Sequence, residues 1–174
     1  MKNAHNAMAR RTVIALSMTA ALSGCNLFRE VERPRPGKVT RLEVHKSSRR
    51  LDAFSGDRRL RSYDVNLGFA PLGHKLQQGD GKTPVGRYEI DRKNPQSQFY
   101  LSLGLSYPNR TDVRLASARG VNPGGDIFIH GQPNGQTARK RRGDWTEGCI
   151  ALTNAEMATL YHAVEVGTPV YIYH

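Results

Sequence analysis

Short runs of alternating apolar and polar residues, separated by turn-forming residues, recur along this chain from about residue 39 to its last residue. Seventeen glycines and nine prolines lie mostly between these runs. Alternation with a period of two is typical of β-strands with one buried face, and Gly and Pro favour the turns between strands. At 174 residues, the chain is long enough for one domain with a core and too short for two. The pattern therefore predicts a single, mostly β domain.

The predicted strands occur at intervals along the chain. They lie within residues 39–48, 50–68, 87–91, 98–107, 124–131 and 170–174. The second of these segments is broken by Ser-Gly-Asp and is expected to form antiparallel strands joined by a turn. The sequence PNRTD at residues 108–112 has the composition of a turn.

One sizeable helix is predicted after residue 152. Thr153 and Glu156 have the spacing of a capping box, in which each side chain bonds to the other residue's backbone N–H. Apolar residues then follow at helical spacing: Met157, Leu160, Tyr161 and Val164. Gly167 and Pro169 favour an end to the helix. A mostly β fold with one such helix is expected to enclose its core as a sandwich or a partly closed barrel.

The first 30 residues have the composition of an export signal. Lys2, Arg10 and Arg11 form a basic start, and residues 12–23 are a largely apolar run of the length of a signal peptide's hydrophobic region. A membrane-spanning helix needs a longer run, of about 20 residues. The run ends in the sequence LSGC, which resembles the bacterial lipobox and predicts lipidation of Cys25. An ordinary secretory signal with a chance cysteine is the alternative.

These features predict how the chain is organised and where it resides. Residues 1–24 are expected to be the signal peptide, and residues 25–37 the lipidated cysteine with a charged, proline-containing tether. The folded domain is expected at residues 38–174. Asn26, in place of aspartate, resembles lipoproteins that are sent on to the outer membrane. We therefore expect a periplasmic protein that is lipid-anchored to a membrane, the outer one by preference.

The composition argues against two classes of ligand. The net charge is +11, and removing the three basic residues of segment 1–24 leaves about +8, which suits anionic surfaces or carboxylate-rich polymers. Nucleic acid is not expected, because the chain carries an export signal and has no basic module rich in aromatic residues. Zinc is not expected either, because no pair of Cys or His has ligand spacing. No cofactor is predicted.

Cys149 and His130 are the candidate catalytic pair. His130 ends an apolar run 19 residues before Cys149, and a histidine beside a thiol can activate it as a nucleophile. Gly148 allows close approach of the backbone, so that the N–H groups of Gly148 and Cys149 could stabilise an oxyanion. Three alternatives stay open: a structural cysteine, a structural histidine, and a disulfide between Cys149 and Cys25.

Two motifs in a fixed order resemble the YkuD-type L,D-transpeptidase catalytic domain family. The sequence IHG at 129–131, a loop at 132–145 and TEGC at 146–149 are similar to the family's His-Gly pair, loop and Ser/Thr-His-Gly-Cys. KTPVGRYEI at 82–90 is similar to the family's T-P-x-G-x-[FY] strand entry. The resemblance covers about residues 38–174. It implies a mixed β-sandwich with the cysteine in a cleft.

The resemblance also implies roles for the matched positions. Cys149 would form a thioester with a peptidoglycan stem peptide, and His130 would act as the general base. The carbonyl of Gly131 would orient the histidine, and the N–H groups of Gly148 and Cys149 would face the oxyanion. D-alanine would leave, and an amine on a second stem or on an outer-membrane lipoprotein would attack. Stem peptides, and a lipoprotein as acceptor or substrate, are the expected partners.

Two residues depart from the family pattern. Glu147 stands where many members have a second histidine, and Ala151 stands where they often have Asn or Arg. The sequence is closer to a divergent branch, which includes amidases that release lipoproteins from peptidoglycan. Besides transpeptidation, the alternatives are therefore an L,D-carboxypeptidase, an amidase, and a non-catalytic lipoprotein that binds peptidoglycan.

Five further residues are candidates for substrate binding. The basic loop residues Arg139, Arg141 and Arg142 could bind stem-peptide carboxylates, or they could simply be a solvated face. Trp145 could form a wall of the cleft or pack beneath the loop. Tyr107 is the candidate from the sequence YPN.

Overall fold

The computed structural model describes residues 37–135 and 142–174 of the chain. Within these ranges lie the strands β1 (Arg41–His45), β2 (Arg50–Ser55), β3 (Arg58–Asp64), β4 (Gly86–Ser97), β5 (Tyr100–Leu105), β6 (Phe128–His130), β7 (Ile150–Ala151) and β8 (Pro169–Tyr173), and the helices α1 (Arg110–Ser117) and α2 (Asn154–Ala163). Several predicted features lie outside the described residues: the signal segment 1–24, Cys25, residues 26–36 of the tether, Arg139 and Arg141.

The described strands pair into one mixed sheet in the order β3-β2-β1-β8-β4-β5-β6-β7. The first three strands form the antiparallel meander that the sequence predicts. The last strand of the chain, β8, lies in the middle of the sheet, parallel to β1 and antiparallel to β4. The second parallel pair is β6 with β7. The predicted mostly β fold is confirmed.

The sheet curls until its two ends meet. The segment after β3 bonds to the region of β7, because Asn66 and Ala151 exchange two backbone hydrogen bonds of 2.9 and 2.8 Å. A second contact follows between Gly68 and Thr146. Both ends of the sheet therefore contribute to one core. Its fully buried side chains include Leu42, Leu51, Leu67, Ile90, Leu103, Ile129, Ile150 and Ile172, and each contributes about 1.5–3 kcal/mol by burial.

Strand β4 is much longer than the predicted strand at residues 87–91. Its first part pairs with β8 and its second part pairs with β5. Two register shifts in the β4–β5 ladder accompany this change of partner, as expected where a strand turns a corner between two parts of a sheet. Residues 91–96 are polar and largely exposed. They have no apolar alternation from which a strand could be predicted.

Helix α2 begins as predicted. Thr153 accepts from the backbone N–H of Glu156, and the Glu156 carboxylate accepts from the backbone N–H of Thr153 at 3.0 Å. Met157 and Leu160 are fully buried against the sheet. At the other end, the ammonium group of Lys93 donates to the carbonyl of Tyr161 at 2.6 Å, which complements the partial negative charge at a helix C-terminus.

Helix α1 lies where the sequence analysis predicted only a turn, and that prediction is wrong. Asn109 accepts from the backbone N–H groups of Thr111 and Asp112 at 2.8 and 3.1 Å, and the Asp112 carboxylate accepts from the N–H of Asn109 at 2.8 Å. This is a capping box built from Asn and Asp instead of Thr and Glu. The carboxylate of Asp112 is also held by the hydroxyl of Tyr88 at 3.1 Å.

We expect Thr153→Ala to lower the free energy of unfolding by about 1 kcal/mol, because it removes the side chain that caps α2. The measurement is urea denaturation of the full chain, followed by circular dichroism. Thr159→Ala is the control: Thr159 is exposed in the same helix, and its replacement should change stability by no more than about 0.5 kcal/mol. Equal midpoints for Thr153→Ala and the unmodified protein would contradict the role of the cap.

Candidate active site

His130 ends strand β6 and is buried. Its backbone lies between Ser102 of β5 and Ala151 of β7, and the residue is only 4% exposed. Two aromatic rings pack near the imidazole: the ring centroid of Phe99 lies 4.6 Å away and that of Trp145 lies 5.9 Å away. The sheet therefore fixes the backbone of this residue, and the aromatic rings shield its side chain from solvent.

The backbone of Gly131 determines which nitrogen of His130 is basic. The Nδ1 atom of His130 lies 2.7 Å from the Gly131 carbonyl oxygen. A carbonyl can only accept, so Nδ1 carries the hydrogen and Nε2 has the free lone pair. Gly131 is itself fixed, because its N–H donates to the carbonyl of Phe99 at 3.0 Å and a Cβ atom would lie 2.6 Å from Oδ1 of Asn154. The resemblance assigns the orienting role to this carbonyl, and that role stays a prediction.

Cys149 follows a turn that requires glycine at residue 148. Gly148 has a φ of +134°, and a Cβ atom there would lie 2.6 Å from the carbonyl oxygen of Lys82. The hydroxyl of Thr146 donates to the carbonyl of Cys149 at 2.7 Å and accepts from the N–H of Gly148 at 3.2 Å. The hydroxyl of Thr146 therefore stabilises the turn through two hydrogen bonds. Strand β7 begins immediately after the cysteine.

The bond between Gly148 and Thr146 bears on the predicted oxyanion site. The resemblance assigns the N–H groups of Gly148 and Cys149 to that site, but the Gly148 N–H already donates to a protein oxygen. It can reach an oxyanion only by sharing or giving up that bond. The assignment of Gly148 stays a prediction, and Cys149 is the simpler source of a backbone donor.

The thiol of Cys149 opens into the same cavity as His130. This cavity has a volume of about 380 Å³, and Phe99, Phe128 and Trp145 supply much of its apolar wall. Within the described ranges, the sulfur accepts from the N–H of Phe128 at 3.4 Å and donates to the carbonyl of Asp126 at 3.5 Å. The resting thiol is therefore oriented by the segment that leads into β6.

Burial shifts both groups of the candidate pair toward their neutral forms. Burial raises the pKa of Cys149 to about 11; the Phe128 N–H opposes this rise, and the negative charges of Asp126 and Glu147 add to it. Burial also lowers the pKa of His130, against a smaller rise caused by its bond to Gly131. At neutral pH the site therefore holds a thiol and a neutral imidazole. A nucleophilic reaction at this sulfur therefore requires removal of the thiol proton, and His130, whose Nε2 has a free lone pair and which lines the same cavity, is the candidate base.

The three substrate-binding candidates that the structure describes lie in different parts of the fold. Trp145 lines the cavity beside His130. Arg142 is exposed and does not line that cavity. Tyr107 lies in the hydrophobic core, 6% exposed, and its hydroxyl donates to the carbonyl of Pro123 at 2.9 Å. Tyr107 is therefore placed as a structural residue, because its side chain does not reach the cavity.

Several residues of the site were not predicted from the sequence. Phe99 and Ser102 line the cavity from the region of β5, and Asp126 lines it from the segment before β6. Asp126 has a positive φ of 55° directly after two glycines, and this Gly-Gly-Asp sequence is the only local signal of an unusual turn. The positions of Phe99 and Ser102 depend on the pairing of β5 with β6, which the sequence does not reveal.

Among residues 37–135 and 142–174, no group of three or more His, Cys, Asp or Glu side chains is arranged to hold a metal ion. No helix in this part of the chain is long and apolar enough to span a membrane.

We expect iodoacetamide to alkylate Cys149 slowly at neutral pH, at a rate that rises about tenfold per pH unit to about pH 10. The reason is that only the thiolate reacts and its pKa is about 11. The rate is measured on the native full chain by mass spectrometry of the peptide that contains Cys149. In concentrated urea the profile should level off near the ordinary pKa of about 8.5. A native profile that levels off at or below pH 8 would show a preformed thiolate and contradict the neutral pair.

Comparison with known proteins identifies the family. The model of the YkuD family, described as the L,D-transpeptidase catalytic domain, matches residues 39–172. The Escherichia coli (strain K12) protein YafK, named as a candidate L,D-transpeptidase, is 28% identical over an alignment of 142 residues that covers 78% of this chain and 51% of YafK. The chain thus spans about half the length of the curated relatives it matches.

Solved structures show the same fold. A mutant form of the helical cell shape determining protein Pgp2 from Campylobacter jejuni is 30% identical, with a TM-score of 0.64 over 78% of this chain and 47% of Pgp2. An L,D-transpeptidase from Mycobacterium smegmatis is 14% identical, with a TM-score of 0.51 over 76% of this chain and 58% of its own; this likeness concerns the fold alone. YafK and Pgp2 belong to the divergent branch that the sequence resembles. This protein belongs to the YkuD L,D-transpeptidase catalytic domain family.

Proposed function

We propose that this protein is a cysteine acyltransferase that acts on peptidoglycan stem peptides by L,D-transpeptidation. The observation that carries the proposal is the placement of Cys149 and His130 on one cavity of about 380 Å³. Membership of the family supports the reaction type. The cavity is large enough to hold several residues of a peptide beside the thiol.

In the first half of the proposed reaction, the sulfur of Cys149 attacks the carbonyl carbon of the stem peptide. Nε2 of His130 receives the thiol proton as the C–S bond forms, and the Gly131 carbonyl stabilises the charged imidazole through Nδ1–H. The imidazole then gives its proton to the leaving nitrogen, and D-alanine departs as the amide bond breaks. The products are free D-alanine and a thioester on Cys149.

The tetrahedral intermediate carries an oxyanion that needs hydrogen-bond donors. The backbone N–H of Cys149 is the proposed donor, with that of Gly148 as a second if its bond to Thr146 gives way. Glu147 is not a donor when ionised. Preorganised donors of this kind are worth about 2.7–4 kcal/mol each in other acyl-transfer enzymes.

We place this reaction in the periplasm, on a protein anchored by lipid at Cys25. The support is the basic, apolar and LSGC pattern of residues 1–25, together with the location of peptidoglycan itself. An outer-membrane position follows from Asn26. A lipoprotein that supplies or carries the second amine is the proposed partner. Pgp2 is described as determining helical cell shape, and we propose that this protein likewise modifies the wall in a way that affects cell form.

The test is product analysis by liquid chromatography and mass spectrometry. The full chain is incubated with purified muropeptides that carry diaminopimelate tetrapeptide stems. We expect cross-linked dimers or stems with an exchanged terminal D-amino acid. Cys149→Ala should give neither, and His130→Gln should lower the rate by about 10²–10⁴-fold because it removes the general base.

Two other outcomes would change the proposal. Shortened stems or a released lipoprotein fragment, without transfer products, would show a hydrolase that uses the same thioester. Product formation that is equal in the Cys149→Ala variant would show that this residue is not the nucleophile and would overturn the proposed mechanism.

A further inference from the structure

The sulfur of Cys149 is oriented by the backbone of residues 126–128. The carbonyl of Asp126 accepts from the thiol at 3.5 Å, and the N–H of Phe128 donates to the sulfur at 3.4 Å. The same N–H opposes the rise in the pKa of Cys149 that burial causes. Asp126 has a φ of 55°, which is uncommon for a residue other than glycine and persists when the surroundings enforce it. The orientation of the sulfur therefore depends on what holds this segment.

Arg92 holds the segment from outside the cavity. Its Nη2 atom donates to Oδ1 of Asp126 at 3.0 Å, and its Cζ atom lies 4.5 Å from the centroid of the Phe128 ring. Its other terminal nitrogen, Nη1, donates to both carboxylate oxygens of Asp91, at 2.9 and 2.7 Å. Arg92 is exposed and does not line the cavity that holds Cys149 and His130. One arginine thus contacts the first and the last residue of the segment that orients the sulfur.

The strand between Arg92 and Phe128 leaves room for this contact. Gly104 of β5 pairs with Arg92 of β4 on one side and with Phe128 of β6 on the other, so the three residues form a row across the sheet. A Cβ atom at Gly104 would lie 2.6 Å from Cγ of Arg92 and 2.5 Å from Oδ1 of Asp91. The arginine side chain therefore crosses the middle strand over a position that has no side chain, and it reaches the third strand.

The contact uses the shape of arginine as well as its charge. A guanidinium is planar and carries its donors in a fixed fork, so it can bond to two carboxylates and lie over an aromatic ring at the same time. A lysine ammonium is a point charge on a flexible chain and has no such plane. An exposed ion pair contributes little to the stability of a whole fold. The effect of Arg92 is therefore expected to be local, on residues 126–128.

We propose that Arg92 is a positioning residue for Cys149. By holding the carboxylate of Asp126 and the ring of Phe128, it fixes the carbonyl and N–H groups that orient the sulfur. Without it, the segment can shift and the sulfur loses its fixed direction of attack. A misplacement of about 1 Å at a reacting group can lower a rate by about 10²-fold. The part of this inference that concerns catalysis rests on the proposed function.

The first test is hydrogen exchange, measured by NMR on the isotope-labelled full chain. We expect the Phe128 amide to exchange about tenfold faster in Arg92→Gln than in wild type, because the segment has lost its outer support. Exchange in the β1–β2 ladder should be unchanged, which separates a local effect from a loss of overall stability.

The second test is the rate at which a diaminopimelate tetrapeptide muropeptide acylates Cys149, followed by mass spectrometry of the full chain. We expect Arg92→Gln to lower the maximal rate by about 10–100-fold, because the sulfur is no longer held in position. The muropeptide concentration for half-maximal rate should change little, because Arg92 does not line the cavity.

Arg87→Gln is the matched control, an identical substitution at an exposed arginine of the same strand; it should leave both measurements unchanged. Arg92→Lys keeps the charge without the planar group, so we expect its maximal rate to lie between those of wild type and Arg92→Gln. A Phe128 exchange rate or a maximal acylation rate that is equal in Arg92→Gln and wild type would overturn the positioning role. An Arg92→Lys rate equal to that of wild type would overturn the role of the planar guanidinium.

Failure of the proposed function gives a different result. In that case wild type forms no acyl adduct on Cys149, whereas hydrogen exchange of Phe128 still shows whether Arg92 holds the segment.

Discussion

The geometry of the site depends on the two backbone hydrogen bonds that Asn66 and Ala151 exchange. Strand β7 has only two residues, so its pairing with β6 gives few hydrogen bonds of its own, and the segment after β3 holds it from the other side. The carboxylate of Asp144 strengthens this junction, because it accepts from the N–H of Leu67 at 2.9 Å and from Arg49 at 2.9 Å. The pairing of β6 with β7 thus places Cys149 and His130 on one cavity, and the curl of the sheet holds β7 in place from its other side.

Burial of Cys149 and His130 also favours the uncharged form of each group, because it raises the pKa of the thiol and lowers that of the imidazole. A thiol with a pKa of about 11 is ionised in only about one molecule in ten thousand at neutral pH. In the proposed reaction, the thiolate forms only when a carbonyl carbon and Nε2 of His130 are both in place, so we expect a small electrophile from solvent to react much more slowly. The negative charge of Glu147 adds to the rise in the pKa of Cys149.

The local signals in the sequence predicted local structure well. The capping box of α2, the antiparallel meander of β1 to β3 and the family were predicted from short motifs, each of which depends on neighbours in the chain. Two failures are local: helix α1 was missed because its capping box uses Asn109 and Asp112, and the second part of β4 was missed because it lacks apolar alternation. The other failures concern long-range pairing. The cavity residues Phe99 and Ser102 were missed because the sequence does not reveal that β5 pairs with β6. Tyr107 was predicted to bind substrate because the sequence does not reveal that its side chain is buried in the core.

Intact-protein mass spectrometry shows whether Cys149 carries the acyl group of the proposed reaction. The full chain is mixed briefly with a diaminopimelate tetrapeptide muropeptide, the reaction is quenched in acid, and the mass of the intact protein is measured. We expect an added mass equal to that of the muropeptide less D-alanine. It should lie on the Cys149 peptide, be removed by hydroxylamine and be absent from Cys149→Ala. Transfer products without any such adduct, or an adduct on another residue, would contradict the role of Cys149.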